Sequence, residues 1–375
     1  MKQVCVYCNR TSPDSNLWCQ ETYCKAELSP LILNYGEPLA DLVVVKPLVV
    51  LRSSVLYKAR QCDSPVLLKV AHAEQHERLQ REARFLMELR GGKAPPRPRR
   101  GAEQPVPVTR QYPALPVLLP PHRGEDLAKY YYGKTVLRGE TKYYTLFQDI
   151  EGEPLRLLLA RNPQPWFRHA GQMMVGLADA VALMHHQQVF HLCLSPDVVL
   201  LRHDAQDIPR PTLIDLGAVV GGQEVHLYWD NWLTPLAYRP PEVVRSGRVV
   251  SGPASDVYGL GAILYELLAG QPAYPFQQRS DAEIRQAVLH ESPEPLNRSD
   301  LAGLPEIAEQ AIGKDPGSRQ ESVLTFLGQL QRYFPAMPQE KPPRHIDWRL
   351  VFVICGVLTA IALLILLALS FQTGG

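Results

Sequence analysis

The sequence predicts an α+β body in which a strand-rich part is followed by a mostly helical part. Between residues 42 and 70, β-branched residues cluster and alternate, which is typical of a set of short strands. After Pro165, apolar residues recur at helical spacing, and segment 257–268 is apolar nearly all round, as in a helix buried inside a domain. A group of cysteines at the N-terminal end and an uncharged segment at the C-terminal end predict two smaller parts flanking this body.

The composition is that of a folded globular protein. Of 375 residues, 46% are hydrophobic and 21% are charged, which excludes a largely disordered chain. The 39 Lys+Arg residues nearly balance the 38 Asp+Glu residues, and a formal charge of +1 removes the bulk electrostatic case for binding nucleic acid. The 34 prolines exceed the usual share of roughly 5% and indicate proline-rich loops and linkers.

Four of the cysteines form two closely spaced pairs in residues 1–30. They are Cys5, Cys8, Cys19 and Cys24. Thiolates two to four residues apart on tight turns can point at one ion, and two such pairs make a closed tetrahedral site. The segment resembles a zinc ribbon, and we expect it to bind structural Zn²⁺ and to need the metal to fold. Four free cysteines in a small satellite core are the alternative.

The first helix and a long insertion follow the predicted strands. Segment 72–89 has apolar residues at spacings of three and four, which predicts a helix. Segment 91–121 breaks every pattern, since it is rich in proline and carries a group of arginines near its start. We expect it to be a solvated basic loop. Docking to an aromatic groove or to anionic lipid is the alternative.

The C-terminal segment 350–371 carries no charged residue and is mostly Leu, Ile, Val and Ala. At 1.5 Å per residue, a helix of this length crosses a hydrocarbon core of about 30 Å. Lysine and arginine residues precede it in the proline-rich linker 335–349, so the positive-inside rule predicts a single-pass membrane protein with its N-terminal body in the cytoplasm. The lipid bilayer is therefore an expected partner.

A series of short motifs then occurs in an order that resembles the protein kinase family. Lys69, on the strand Val66–Val70, falls at the family's nucleotide-phosphate lysine, and Glu82 falls at its ion-pair partner. Segment 143–152 resembles the strand and hinge that receive adenine. Segment 191–201 matches the catalytic loop, and segment 213–217 matches the metal-binding segment. Segment 240–242 matches the end of the activation segment, and segment 255–258 matches the start of the central helix. Arg319 matches the arginine that family members pair with the glutamate of segment 240–242. The resemblance covers 42–334 and implies a bilobal fold with a β-rich N-lobe and a helical C-lobe.

The resemblance also assigns candidate nucleotide-binding residues. They are Lys69, Glu82, Asp215 and Gly217, of which Lys69 and Asp215 with one Mg²⁺ are expected to hold ATP weakly. The alternative is structural. A buried Lys–Glu pair fixes the helix against the small lobe, and an aspartate before a glycine satisfies local N–H groups.

The sequence departs from the family at the positions that carry the chemistry. The carboxylate that orients the attacking hydroxyl falls at Cys193, and a neutral thiol is a poor acceptor. The asparagine for the second Mg²⁺ falls at Val198, which has no oxygen to offer. The loop lysine falls at Ser195, the neighbouring arginine falls at Leu192, and segment 50–57 lacks the glycines that let backbone N–H groups approach phosphates.

These departures predict a membrane-tethered pseudokinase that acts as a signalling scaffold or allosteric partner of other proteins. Its layout resembles that of membrane-anchored bacterial serine/threonine kinases. The alternative is an atypical active serine/threonine kinase that uses Asp197 or Asp215 to orient the hydroxyl. A third reading is a switch that binds nucleotide without turnover.

Overall fold

The computed structural model describes residues 32–72, 75–91, 114–163, 167–220, 233–246, 252–275, 279–296 and 303–335, with the short segments 3–4, 11–12, 224–226 and 248–250 and the single residue Thr359. The chain divides into two compact units, Met1–Met337 and Pro338–Gly375. The first unit contains a strand-rich N-lobe and a helical C-lobe. In the second unit the described residue is Thr359, which is helical.

An antiparallel sheet and one helix build the N-lobe. Its elements are β1 (Gln3–Val4), β2 (Thr11–Ser12), β3 (Pro38–Leu39), β4 (Leu42–Val50), β5 (Ser54–Gln61), β6 (Ser64–Ala71), α1 (His76–Leu89), β7 (Leu118–Leu119), β8 (Gly133–Leu137) and β9 (Glu140–Gln148). The main sheet has the order β3-β4-β5-β6-β9-β7, and β8 also pairs with β9. Helix α1 packs against β7 and β9, which brings its buried face next to the residues of β6.

Two sequence predictions in the N-lobe need correction. Helix α1 begins at His76 rather than at residue 72, because the His72 N–H bonds the Ser53 carbonyl (3.0 Å) and so continues the β5–β6 ladder. The predicted loop 91–121 ends in strand β7, since Leu118 and Leu119 pair with β9 and are buried. Residues 92–113 lie outside the described part of the chain.

Short strands and a stack of helices build the C-lobe. Its elements are β10 (Glu153–Pro154), α2 (Leu155–Arg161), α3 (Phe167–His186), β11 (Val189–Phe190), β12 (Val199–His203), β13 (Pro209–Leu213), β14 (Val219–Val220), β15 (Glu224–His226), α4 (Pro241–Ser246), β16 (Arg248–Val250), α5 (Pro253–Ala269), α6 (Asp281–His290), α7 (Leu304–Ala311) and α8 (Val323–Gln331). The predicted all-round apolar segment lies in α5, which packs against α3, α7 and α8.

One hydrophobic core joins the two lobes. It extends from Leu56 and Phe147 in the N-lobe sheet, through Leu86 on α1, to Ile263 on α5 and Phe326 on α8. Every one of these side chains is at most 1% exposed. The two lobes are therefore held together by the burial of apolar side chains in one continuous core.

The two terminal predictions fall almost entirely outside the described residues. Strands β1 and β2 pair as a hairpin whose connection contains Cys5 and Cys8, but the four cysteines themselves are not described. The linker beyond residue 335 and the segment 350–371, apart from Thr359, are likewise not described. Within the described part of the chain, no helix combines the length and the apolar character needed to cross a membrane.

Candidate active site

Asp215 lies at the centre of a buried charge cluster in the cleft. Lys69 Nζ on β6 donates to its Oδ1 (2.6 Å), as does Ser53 Oγ from the β4–β5 turn (2.9 Å). Arg78 on α1 donates through Nη2 to Oδ2 (3.2 Å) and to the Asp215 carbonyl (2.8 Å). Burial alone would raise the pKa of Asp215, but Arg78 and Lys69 outweigh it and hold that pKa far below its usual value.

Glu82 completes the cluster from helix α1. Its carboxylate accepts a hydrogen bond from Lys69 Nζ and another from the Leu216 N–H (3.1 Å). Burial raises the pKa of Glu82, and Lys69 opposes that change. The Lys69–Glu82 pair therefore holds α1 against the sheet. The second carboxylate oxygen of Glu82 holds the segment that carries Asp215. All three charged side chains are at most 5% exposed.

Backbone geometry sets the position of Asp215. Asp215 has a φ of 55°, in the left-handed region that side chains other than glycine rarely adopt. Gly217 follows, and a Cβ there would lie 2.2 Å from the His191 carbonyl oxygen, so only glycine fits. The strain at Asp215 is offset by its three side-chain donors, which fix the carboxylate on the N-lobe.

The β4–β5 turn closes over the cluster. Ser53 and Ser54 are 3% and 1% exposed, and the Leu51 N–H bonds the Ser54 carbonyl (2.9 Å). In the absence of glycines, the turn directs a side-chain hydroxyl, rather than backbone N–H groups, at Asp215. The Ser53 hydroxyl therefore takes up one acceptor position of the Asp215 carboxylate.

A lysine occupies the hinge. Lys58 Nζ on β5 donates to the Ile150 carbonyl (2.5 Å) and to Asp149 Oδ1 (2.7 Å). Both acceptors lie in the segment that resembles the adenine-binding hinge. The carbonyl of Ile150 is therefore already hydrogen-bonded within the protein.

The catalytic-loop positions carry Cys193, Ser195 and Val198, so the family's carboxylate, lysine and asparagine are all absent from them. Cys193 and Val198 are each 4% exposed, and Ser195 Oγ donates to Asp197 Oδ2 (3.2 Å). The loop is held by Asp256 on α5, whose carboxylate accepts from the His191 N–H (2.8 Å) and from the Leu192 N–H. The backbone of the loop at 191–192 is therefore fixed by α5.

Asp197 is held in a second buried network. Arg156 on α2 donates to both Asp197 oxygens (3.3 and 3.2 Å) and to Glu266 Oε1 (2.9 Å). Arg156 Nη2 also donates to the Tyr238 hydroxyl (2.7 Å), which in turn donates to Glu266. Burial would lower the pKa of Arg156, but Asp197 and Glu266 raise it. The carboxylate of Asp197 is therefore turned toward α2 and α5.

Leu192 replaces an expected arginine with an apolar contact. It has a φ of 62°, is 8% exposed and packs with Phe190, Val219 and Val243 in a cluster of its own. Val219 follows the Asp215 segment and Val243 lies on α4. Burial in this apolar cluster holds Val219 and Val243, which lie at the two ends of segment 219–243. An arginine at position 192 would instead require a phosphate or carboxylate partner.

The residues present do not fit Mg²⁺ in this arrangement. A hard cation needs free oxygen ligands, but both carboxylate oxygens of Asp215 accept from protein donors, and Val198 supplies none. Within the described residues, no group of three or more His, Cys, Asp or Glu side chains is arranged to hold a metal ion.

Sequence reasoning named Lys69, Glu82, Asp215 and Gly217, and the structure brings these four together. It did not name Ser53 and Arg78, which complete the cluster. Arg78 precedes Glu82 by four residues and so shares its helix face, but this spacing alone does not show that Arg78 reaches Asp215. Arg319 donates to both Glu242 oxygens (2.8 and 2.7 Å), as the resemblance implied.

Comparison with known proteins agrees with the geometry. The sequence pattern of the protein kinase domain matches residues 131–331, slightly more than half of the chain. The serine/threonine-protein kinase PrkC of Bacillus subtilis is 26% identical over 198 residues, which cover 52% of this chain and 29% of PrkC. The serine/threonine-protein kinase PknA of Mycobacterium tuberculosis is 25% identical over 218 residues, 56% of this chain and 49% of PknA.

Tribbles homolog 3 of Rattus norvegicus is 33% identical over 153 residues, 39% of this chain and 41% of that protein. The chain thus spans about half the length, or less, of the curated relatives it matches. The antiparallel N-lobe sheet, the helical C-lobe, the Lys69–Glu82 pair and the Arg319–Glu242 pair are the features of one fold family. The chain belongs to the protein kinase domain family.

Proposed function

We propose that the protein is a pseudokinase, which acts through its folded shape as a signalling scaffold or allosteric partner of other proteins. The observation that carries the proposal is the Asp215 carboxylate, which accepts from Lys69, Arg78 and Ser53 inside the cleft. A protein kinase domain in general uses ATP and Mg²⁺. In this chain, the charged side chains at the family's ATP and Mg²⁺ positions pair with one another.

The chemistry of phosphoryl transfer supports the same conclusion. Transfer needs a carboxylate to orient the hydroxyl and metal ions to neutralise the developing charge. Cys193 and Val198 supply neither group, and Lys58 already bonds the hinge carbonyl. Nucleotide binding would require the turn at Ser53 to open and the pairs at Asp215 to separate, so we propose that any such binding is weak.

The alternative, an atypical active kinase, needs a substitute carboxylate. Asp197 is bound by Arg156, and Asp215 is bound by Lys69 and Arg78. Neither is available as it stands to accept the proton of an attacking hydroxyl, and a misplacement of 1 Å in such a group can cost about 10²-fold in rate.

The two functions are separated by a transfer assay on the purified full chain. With labelled ATP and Mg²⁺ or Mn²⁺, we expect no phosphate on the chain itself or on a generic acceptor protein. The variant Cys193→Asp, which restores a carboxylate, should also stay inactive because Asp215 is still held. Incorporation by the unmodified chain that disappears in Asp215→Ala would establish the atypical kinase instead.

We further propose roles for the two ends of the chain. The spacing of Cys5, Cys8, Cys19 and Cys24 supports a structural Zn²⁺ site, and the hairpin β1–β2 puts the first two in one connection. The uncharged segment 350–371, preceded by basic residues, supports a single membrane span with the kinase-like body on the cytoplasmic side. Together they describe a tethered body that recruits partners at the membrane surface.

A further inference from the structure

Strand β8 is an open edge of the main N-lobe sheet. It extends from Gly133 to Leu137 and pairs with β9 on one side. On its other side it pairs with no strand among the described residues, and its backbone makes no hydrogen bond there other than those to β9. Val136 in this strand is 70% exposed. An edge of this kind presents backbone N–H and C=O groups to which another strand can pair.

The other described edges of the sheet are protected in ways that are common in natural proteins. Strand β3 has two residues and begins with Pro38, and β7 has two residues and is followed by Pro120. Strand β4 extends beyond β3, but it contains Pro47 and two irregularities in its register with β5. Strand β8 has five residues in unbroken register with β9, contains no proline, and carries one charged residue, Lys134. Among the described edges, β8 is therefore the one best suited to pair with a further strand.

The turn between β8 and β9 shows which backbone groups of β8 point outward. Arg138 and Gly139 have φ values of 53° and 80°, and positive values at both central residues define a type I′ turn. Such a turn closes with a hydrogen bond between the two residues that flank it, the last of β8 and the first of β9. Hydrogen-bonded and non-hydrogen-bonded pairs alternate along an antiparallel ladder, so Lys134 and Val136 form non-hydrogen-bonded pairs with β9. Their N–H and C=O groups therefore point away from β9.

These outward groups are complementary to a second copy of themselves. When two β8 strands run antiparallel with Thr135 on the two-fold axis, Lys134 of each copy faces Val136 of the other. Both facing pairs are then hydrogen-bonded pairs, which gives four hydrogen bonds between the strands. Each lysine faces an apolar residue instead of a second lysine, and its aliphatic stem covers the exposed valine. The two Thr135 side chains lie opposite each other on the other face, a pairing that stabilises antiparallel sheets.

We propose that two copies of the chain associate through β8, so that one sheet continues across a two-fold axis. A strand of five residues buries less area than the roughly 1,200 Å² of a stable interface, so the dimer should be weak in dilute solution. Tethering of chains to one membrane would raise their effective concentration and favour the dimer, a step that rests on the proposed membrane span. The pairing itself depends neither on that span nor on whether the chain transfers phosphate.

Sedimentation equilibrium of the purified full chain in a non-ionic detergent tests the association. We expect a reversible monomer–dimer equilibrium that shifts to the dimer as the protein concentration rises. Val136→Pro removes one outward N–H group from each copy and no hydrogen bond to β9, and proline is tolerated at such edge positions. It should weaken dimerisation by about 10-fold or more while the melting temperature stays within about 2 °C. Val136→Thr keeps the N–H group and should dimerise nearly as well as the unmodified chain. Leu324→Ala, at an apolar residue of α8 that is 67% exposed, is the matched control and should leave dimerisation unchanged.

Cross-linking tests the register of the two strands. The two Thr135 residues of the dimer form a non-hydrogen-bonded pair, whose Cα atoms lie about 4.5 Å apart, within the range that a disulfide bridges. The two Val136 residues are diagonal neighbours about 7–8 Å apart, which is too far for a disulfide without backbone movement. In a Cys62→Ser background, which removes an exposed cysteine, Thr135→Cys should therefore form a covalent dimer under mild oxidation. Val136→Cys in the same background should form several-fold less.

The proposal is overturned if the full chain stays monomeric at the highest concentration reached. It is also overturned if Val136→Pro dimerises as strongly as the unmodified chain, because the copies would then associate through another part, such as segment 350–371. Equal cross-linking of Val136→Cys and Thr135→Cys would exclude the proposed register. If Val136→Pro loses the main melting transition, the comparison of the two cysteine variants decides the question by itself.

Discussion

At the scale of single residues, the candidate site is a buried cluster whose charged side chains pair with one another. Two cations, Lys69 and Arg78, face two anions, Asp215 and Glu82, and the hydroxyl of Ser53 takes a further acceptor position. Such a buried cluster is stable only while it is complete, because removing one member leaves its partner charged without solvent. The cluster is therefore a structural centre of the fold, at the positions that resemble the family's nucleotide-binding residues.

This arrangement gives a prediction for Asp215→Asn. Lys69 and Arg78 would lose the charge they share, and breaking a buried pair costs about 3 kcal/mol or more of the free energy of unfolding. Urea or thermal denaturation of the full chain measures the loss. If Asp215 served instead as an uncommitted metal ligand, the same change would relieve a buried negative charge and leave the stability equal or higher.

A matched control lies on the hinge. Asp149 pairs with Lys58 in a partly exposed position, where the two side chains are 25% and 18% exposed. Surface pairs contribute about 0–1 kcal/mol, so Asp149→Asn should change the stability by less than 1 kcal/mol. Equal losses in the two variants would contradict a special role for the buried cluster.

At the scale of elements, the catalytic loop is positioned by helix α5 and by apolar packing. Asp256 holds the backbone N–H groups of His191 and Leu192, and Leu192 packs with Val219 and Val243. The loop at 191–192 is therefore held by contacts within the protein.

His191 makes this loop sensitive to acid. Burial lowers its pKa to about 4, against about 6.5 for an exposed histidine. The unfolded chain therefore takes up a proton near pH 6.5 that the folded chain refuses until about pH 4, so stability falls as the pH drops through that window. We expect a loss of about 2 kcal/mol between pH 7 and pH 5 from this residue, measured by urea denaturation.

The effect can be assigned by substitution. His191→Gln cannot titrate, so its stability should fall less between pH 7 and pH 5 than that of the unmodified chain, whatever its stability at pH 7. His290→Gln, at the exposed end of α6, should keep the full pH dependence. A pH dependence that is unchanged in His191→Gln would refute the assignment.

Most of the elements could be predicted from the sequence because their signals are local. β-Branched alternation located β4, β5 and β6, and spacings of three and four located α1. Strand β7 was missed because two residues flanked by prolines give no period. The start of α1 was placed too early because His72 is held by a hydrogen bond to Ser53 across the sheet, which no helical pattern can reveal.

The candidate site was only partly predictable. Residue types at motif positions identified Lys69, Glu82 and Asp215, because the chemistry of the family fixes those types. The closed arrangement was not visible, since Ser53 and Asp215 are 162 residues apart and Arg78 and Asp215 are 137 apart. Contacts of that kind depend on the tertiary fold, and the sequence carries no local sign of them.

At the scale of the whole molecule, the kinase-like body contains its own core. The N-lobe core begins at Ile32 and Leu33, whose N–H groups donate to the buried Tyr57 hydroxyl (3.0 and 2.8 Å), and the main core begins at Leu48. Burial raises the pKa of Tyr57 to about 12, so this hydroxyl stays protonated at neutral pH. Both cores of the body lie within residues 32–334, so we expect its stability not to depend on a metal bound at the four cysteines.

This separation gives a prediction for metal removal. If Cys5, Cys8, Cys19 and Cys24 hold Zn²⁺, the purified full chain should contain about one zinc ion per molecule, and a chelator or Cys5→Ser with Cys24→Ser should remove it. The N-terminal segment should then become sensitive to protease, since so small a piece has too little apolar area to fold without the metal. The main melting transition should stay within about 2 °C, because the two cores are untouched.

Cys62→Ser, at an exposed cysteine in the β5–β6 turn, should keep the full zinc content. Full zinc content after all four cysteines are changed to serine would refute the site, and loss of the main transition on chelation would show that the body depends on the metal.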